Sequence, residues 1–133
     1  SSKSPLMFVA GSESYLAPEF WTMKHHDLAS GDMTMKGCDL VPGDIWSAGV
    51  TLLAVATGRR PWARATQQDT FFSDFMGMST DVYVCDMLKR FTGDAFRLHT
   101  KHLVCTLTHM LHMRPDCRPS AAGVRMVTSS FCL

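Results

Sequence analysis

The side chains of this sequence best able to do chemistry are six histidines and five cysteines, and their spacing offers a reaction little to use. His102, His109 and His112 fall at helical spacings, where a metal ion wants imidazoles at i and i+3 or i+4 together with a third ligand. His109 and His112 meet half of that requirement, so the three read as surface or interface residues and no metal ligand is assigned. Cys38, Cys85, Cys105, Cys117 and Cys132 are odd in number, scattered and without a Cys-x-x-Cys pair, the pattern of free thiols in a reducing compartment. Nothing in the order of residues sets a thiolate beside a base. No two glycines lie two apart, so there is no Gly-x-Gly-x-x-Gly loop to cradle a phosphate. Ten methionines suit adaptable packing rather than a cofactor box.

Composition narrows the partners. Thirteen basic against twelve acidic residues leave a formal charge of +1, with no basic run to track a phosphate backbone, which argues against nucleic acid. The longest apolar run, Ile45 to Gly58, falls short of the roughly 18 to 20 residues of a bilayer span, so no membrane partner is expected. Ser1-Ser2-Lys3-Ser4-Pro5 lacks the apolar stretch of a signal peptide. The expected location is intracellular, in the cytoplasm.

The elements that would position any site are helical. With 133 residues, 46% of them hydrophobic, the chain suits one globular domain. Pro18-Glu19-Phe20-Trp21 predicts a short helix with proline in its first turn, and Lys24 to Gly43 reads as connecting loop. From Asp44 to Thr57 apolar residues occupy nearly every face, which predicts a helix buried on all sides and ended by Gly58-Arg59-Arg60-Pro61. Helices are also predicted over Gln67 to Met76, Asp81 to Arg90 and Lys101 to Met113, the last on the spacing of Leu103, Val104, Leu107, Met110 and Leu111. Ser120 offers an N-cap for a final helix from about Ala121 toward Ser129. No stretch alternates as a strand would. Glycines 31, 37, 43 and 49 recur every six residues, but the residues before them lack the large aliphatics that a hexapeptide solenoid stacks.

Three blocks stand out in order: Gly11-Ser12-Glu13-Ser14-Tyr15-Leu16-Ala17-Pro18-Glu19, then Asp44-Ile45-Trp46-Ser47-Ala48-Gly49-Val50, then Arg114-Pro115-Asp116-Cys117-Arg118-Pro119-Ser120. Together they resemble the second half of a eukaryotic-type serine/threonine protein kinase domain, from the end of the activation segment to the last helices of the large lobe. The resemblance covers nearly the whole chain and implies one partial kinase domain over residues 1–133. Its fold would be mainly α, the C-terminal subdomain of the large lobe, with helices around a buried central helix and no N-terminal lobe. It is weakest from Phe71 to Thr100, where the length admits an insertion. Phe8 stands where many relatives carry a phosphorylatable Thr, and Ser4 is a poor substitute.

The resemblance also assigns residues. Ser12, Tyr15 and Leu16 would bind substrate, Leu16 lining the pocket for the residue after the phosphorylated one. Ala17, Pro18 and Glu19 would anchor that loop, Glu19 pairing with Arg118, whose planar fork can engage a carboxylate bidentately. Asp44, Trp46 and Gly49 would belong to the central helix; unaided, Asp44 can only cap it and favour its dipole.

What the family needs for phosphoryl transfer is absent from this sequence. There is no nucleotide loop and no His-Arg-Asp, and Asp74-Phe75-Met76 follows Ala17-Pro18-Glu19 where the family's metal-binding Asp precedes it. No catalytic, cofactor or metal residue is therefore assigned, and ATP and magnesium are implied only for a complete parent domain. The leading reading is the C-terminal part of a serine/threonine kinase, incompetent alone, with a protein substrate or another kinase chain as partner. The alternative is a non-catalytic lobe remnant acting as a protein-interaction module. Loss of the rest of the fold should leave apolar surface uncovered and the chain marginal in stability.

Overall fold

Burial of Trp46 organises the fold. The computed structural model describes residues 13–22, 41–92 and 100–124, and the secondary structure among them is helical throughout. Four helices carry the body: α1 (Val41–Thr57), α2 (Thr70–Met76), α3 (Thr80–Thr92) and α4 (Thr100–Met110). Short 3-10 turns form at Glu13–Tyr15 and Pro115–Cys117, and residues 18–22 and 121–124 are also helical. Cys38, Cys132, Phe8, Ser4, most of the expected 24–43 loop and the end of the expected last helix lie outside the described residues.

α1 begins three residues before the expected start at Asp44. Pro42 sits comfortably in the first turn, where its missing N–H would have had no intrahelical partner. Trp46, Gly49, Val50, Leu53 and Thr57 form its buried face, at the i, i+3, i+4, i+7 spacing of one stripe. Burial on all sides does not occur among the described residues: Ala48, Thr51, Leu52 and Val55 form an exposed stripe, and Val55 is 76% exposed. The described segments packed against α1, among them α2 through Phe72 and Phe75, α3, α4 and the two 3-10 turns, leave that stripe open to solvent. At its end Gly58 adopts φ +78°, a left-handed conformation that glycine enters without a Cβ clash, and its N–H reaches the Ala54 carbonyl at 2.8 Å.

The core beneath α1 is aromatic. Trp46, Trp62, Phe72, Phe75 and Tyr83 pack together, with edge-to-face pairs at 4.9 Å (Trp62 and Phe72) and 5.1 Å (Phe75 and Tyr83) between ring centroids. Each such pair adds about 0.5 to 1.5 kcal/mol beyond the area it buries. Burial also pushes the Tyr83 hydroxyl up to about 12, with the Asp74 and Asp69 carboxylates adding to the shift.

α2 starts at Thr70 rather than at Gln67, because Asp69 caps it. One Asp69 oxygen accepts from the Phe71 and Phe72 N–H groups at 2.9 and 3.0 Å. The other accepts from Ala63 and Arg64 at 2.9 and 3.0 Å, so one carboxylate both starts the helix and ties down the loop before it. α3 runs slightly beyond its expected limits at both ends and buries Tyr83, Val84 and Leu88. α4 stops at Met110, three residues before the expected Met113. The chain turns there so that Leu111 is buried beside Gly49, where an added Cβ would lie 3.0 Å from Leu111 Cδ2 and from Met110 Cβ. Ser120 accepts from the Gly123 N–H at 3.0 Å, a cap for the helical residues 121–124.

Candidate functional site: a guanidinium clamp and the turn it holds

Arg118 is the most heavily engaged side chain of the described structure. Its side chain is 0% exposed, although it lies in the loop after α4. Nη1 donates to Glu19 Oε2 at 2.6 Å and to the Pro42 carbonyl at 3.0 Å. Nη2 donates to Glu19 Oε1 at 2.8 Å and reaches the Met113 carbonyl at 3.5 Å, while Nε donates to the His112 carbonyl at 2.7 Å. A guanidinium carries five N–H donors, and here each has an acceptor. Its carbon also lies 4.9 Å from the centroid of the Trp46 ring, a cation–π contact made out of water.

This arrangement explains two local features. The early end of α4 frees the His112 and Met113 carbonyls for Arg118, and the early start of α1 brings the Pro42 carbonyl to it. One side chain thus joins the segment around Glu19, the start of α1 and the loop after α4. Removing either charged partner would leave the other buried alone, at about 3 to 5 kcal/mol.

Glu19 stands in the helical residues 18–22, preceded by buried Ala17 and Pro18; the Phe20 N–H reaches the Ala17 carbonyl at 3.1 Å. Upstream lies the Glu13–Tyr15 turn, held at three points. Ser47 on α1 donates to the Tyr15 carbonyl at 2.6 Å, Arg60 Nη1 donates to Ser14 Oγ at 3.2 Å, and Arg64 Nε donates to Glu13 Oε2 at 3.0 Å. Tyr15 and Leu16 are half-buried beside it. Trp46 and Gly49 face the core from α1, whereas Asp44 is exposed in the first turn, with no hydrogen-bond partner among the described residues. Ser12 lies outside the described residues.

Ser47, Arg60, Arg64 and Asp69 carry functions in this geometry that the sequence reading did not assign. Asp69 had a legible signal, an N-cap residue ahead of an apolar pair, whereas nothing local marks an arginine that reaches back to a distant turn. Burial raises the Asp69 carboxyl, but the four backbone N–H groups outweigh it and hold the group below its ordinary value of 3.8.

The histidines and cysteines do not converge. His109 Nδ1 lies 2.7 Å from the Cys105 carbonyl, so that nitrogen carries the hydrogen and donates it there. Cys105 Sγ is 3.9 Å from the same Nδ1, a thiol next to an imidazole nitrogen that has no lone pair to offer it. His112 Nδ1 accepts from the Arg114 N–H at 3.1 Å. Among the described residues no three His, Cys, Asp or Glu side chains are grouped to hold a metal ion.

No protein-family model matches the chain. Over 102 residues it is 31% identical to serine/threonine-protein kinase SBK1 of Danio rerio, an alignment covering 75% of this chain and 24% of that protein. The chain therefore spans about a quarter of the length of the curated relative it matches. This region is kinase-related, and its all-helical body around α1 is consistent with part of a kinase large lobe.

Proposed function

We propose that this kinase-related chain is the C-terminal part of a serine/threonine protein kinase domain and does not transfer phosphate unaided. The parent reaction is transfer of the ATP γ-phosphoryl group to a serine or threonine of a protein. The observation that best supports this reading is the Arg118 guanidinium seated on Glu19 over Trp46. A buried fork of that kind fixes a loop against a helical body, and the loop it fixes carries Tyr15 and Leu16. In this reading Ser12, Tyr15 and Leu16 meet the peptide, and Ala17, Pro18, Glu19, Asp44, Trp46, Gly49 and Arg118 hold the surface that presents them.

The described residues do not fit magnesium-bound ATP. Asp74 is exposed on α2 while Phe75 is locked in the aromatic core, and no cluster of carboxylates accompanies them. The nucleotide chemistry is accordingly assigned to residues beyond this sequence, acting on a protein substrate or provided by another kinase chain. The exposed side of α1, with Val41, Leu52 and Val55, favours a second reading as a non-catalytic module that docks on a protein.

A thermal melt of the purified chain with and without millimolar Mg-ATP tests the first reading. A ligand at 100 times its dissociation constant stabilises by about 2.7 kcal/mol, so a true nucleotide site would raise the melting temperature visibly. No shift is expected; a magnesium-dependent rise would overturn the claim of incompetence. Coding sequence just upstream separates the two readings, since His-Arg-Asp and Asp-Phe-Gly there would favour the kinase and their absence the docking module.

A further inference from the structure

Separate stretches of the chain frame one open cavity of about 1040 Å³: the helical residues 18–22, the loop 63–69, α2 and the loop after α4. More of its surface is apolar than polar, with Pro18, Trp21, Phe72, Met76 and Met113 among the lining residues. Met76 closes α2 and Met113 lies in the loop after α4, and their side chains remain 40% and 39% exposed. A thioether on a flexible stem reshapes to what enters, so methionines on a concave apolar surface suit a partner better than they suit water.

The lining carries two charged groups of opposite sign, and both are engaged within the chain. Arg64 holds Glu13 through Nε at 3.0 Å. Asp69 stays ionised, its two oxygens accepting four backbone N–H groups. A charged group entering here would leave water without gaining an unspent counter-charge, whereas an apolar group gives up nothing by leaving water. Gln67 and Gln68 are exposed and add side-chain amides, which offer a peptide backbone both donors and an acceptor. The cavity also adjoins the loop that Arg118 fixes, since Pro18 lies two residues beyond Leu16 and Arg64 is bonded to the Glu13–Tyr15 turn.

We propose that this cavity receives an uncharged apolar side chain, aromatic or aliphatic, from a protein segment that runs past Leu16 onto Pro18 and Trp21. The inference rests on the reading of the Tyr15 and Leu16 loop as a surface that meets peptide. Its physical basis is burial of apolar area, which scales with the side chain inserted and does not depend on charge.

The test uses four short glycine and serine peptides that differ only in a central phenylalanine, serine, glutamate or lysine. Each is titrated to millimolar concentration into the 133-residue chain, isotope-labelled at its methionine methyl groups and followed by NMR. The Met76 and Met113 signals, assigned by their loss in Met76→Leu and Met113→Leu, should move with the phenylalanine peptide. That peptide should bind about tenfold or more tightly than the other three, by the same margin at low and at high salt. Met76→Lys and Met113→Lys should each weaken it about tenfold, while Val82→Lys, the same charge change on α3 at a 54% exposed residue outside the lining, should not. No movement of either signal, equal binding of the four peptides, or preference for glutamate or lysine would overturn the proposal. Should a lysine variant lose its helical circular dichroism, Met76→Gln and Met113→Gln must each weaken the phenylalanine peptide. The Mg-ATP melt and the upstream sequence judge the kinase reading independently, since neither depends on this cavity.

Discussion

Two arginine–glutamate pairs hold the two ends of one short segment, and they differ in almost everything except residue type. Arg118 and Glu19 have side chains 0% and 18% exposed and meet through two parallel bonds of 2.6 and 2.8 Å. Arg64 and Glu13 are 55% and 31% exposed and meet through one bond of 3.0 Å. Water competes with the second pair and is shut out of the first. An exposed pair contributes about 0 to 1 kcal/mol, whereas breaking a buried one costs about 3 to 5 kcal/mol, because the surviving charge has no solvent. The buried pair is a fixed joint among three segments. The exposed pair is a looser tie whose remaining donors are hydrated.

That contrast can be broken at its strong end first. Arg118→Ala should destabilise the chain by about 3 to 5 kcal/mol, enough to unfold a marginal domain, as read from a urea melt. Arg118→Lys keeps the charge but not the fork, and should recover little of the loss; full recovery would mean that charge alone holds Glu19.

Asp69 lies between the extremes. Asp69→Asn should cost about 1 to 3 kcal/mol at neutral pH, since the amide keeps one acceptor oxygen for two of the four N–H groups and turns an NH2 donor toward the other two. The folded carboxyl is held low, so its stabilisation is fully present above the ordinary value of 3.8 and is lost as pH falls through the lower folded value. The gap between variant and parent should therefore close in acid. A gap that stays constant from pH 7 down to about 2 would show that carboxylate charge is not what the cap uses.

Arg64→Ala should have the smallest effect, below about 1 kcal/mol and smaller still at high salt. A loss comparable to that of Arg118→Ala would erase the distinction between the two pairs.

Much of the body was legible beforehand because helices announce themselves locally. The Leu103, Val104, Leu107 and Met110 spacing, the Gly58 stop and the Ser120 cap each follow from the periodicity or the turn preference of a few adjacent residues. The errors are equally physical. α1 starts early because proline is welcome in a first turn, and the chain leaves α4 after Met110 so that the His112 and Met113 carbonyls beyond the helix turn to Arg118. The exposed stripe of Leu52 and Val55 was unreadable, since hydrophobicity says that a side chain favours burial and not whether a neighbour is present.

By itself the sequence determined that this chain is helical and that it carries a motif-bearing turn, because periodicity, caps and motifs are properties of short range. Only the tertiary structure decided which of two similar arginines is walled in and which is left open. That choice depends on the Trp46 ring, the Pro42 carbonyl and the turned end of α4, groups far apart in the chain that become neighbours only when the helices pack.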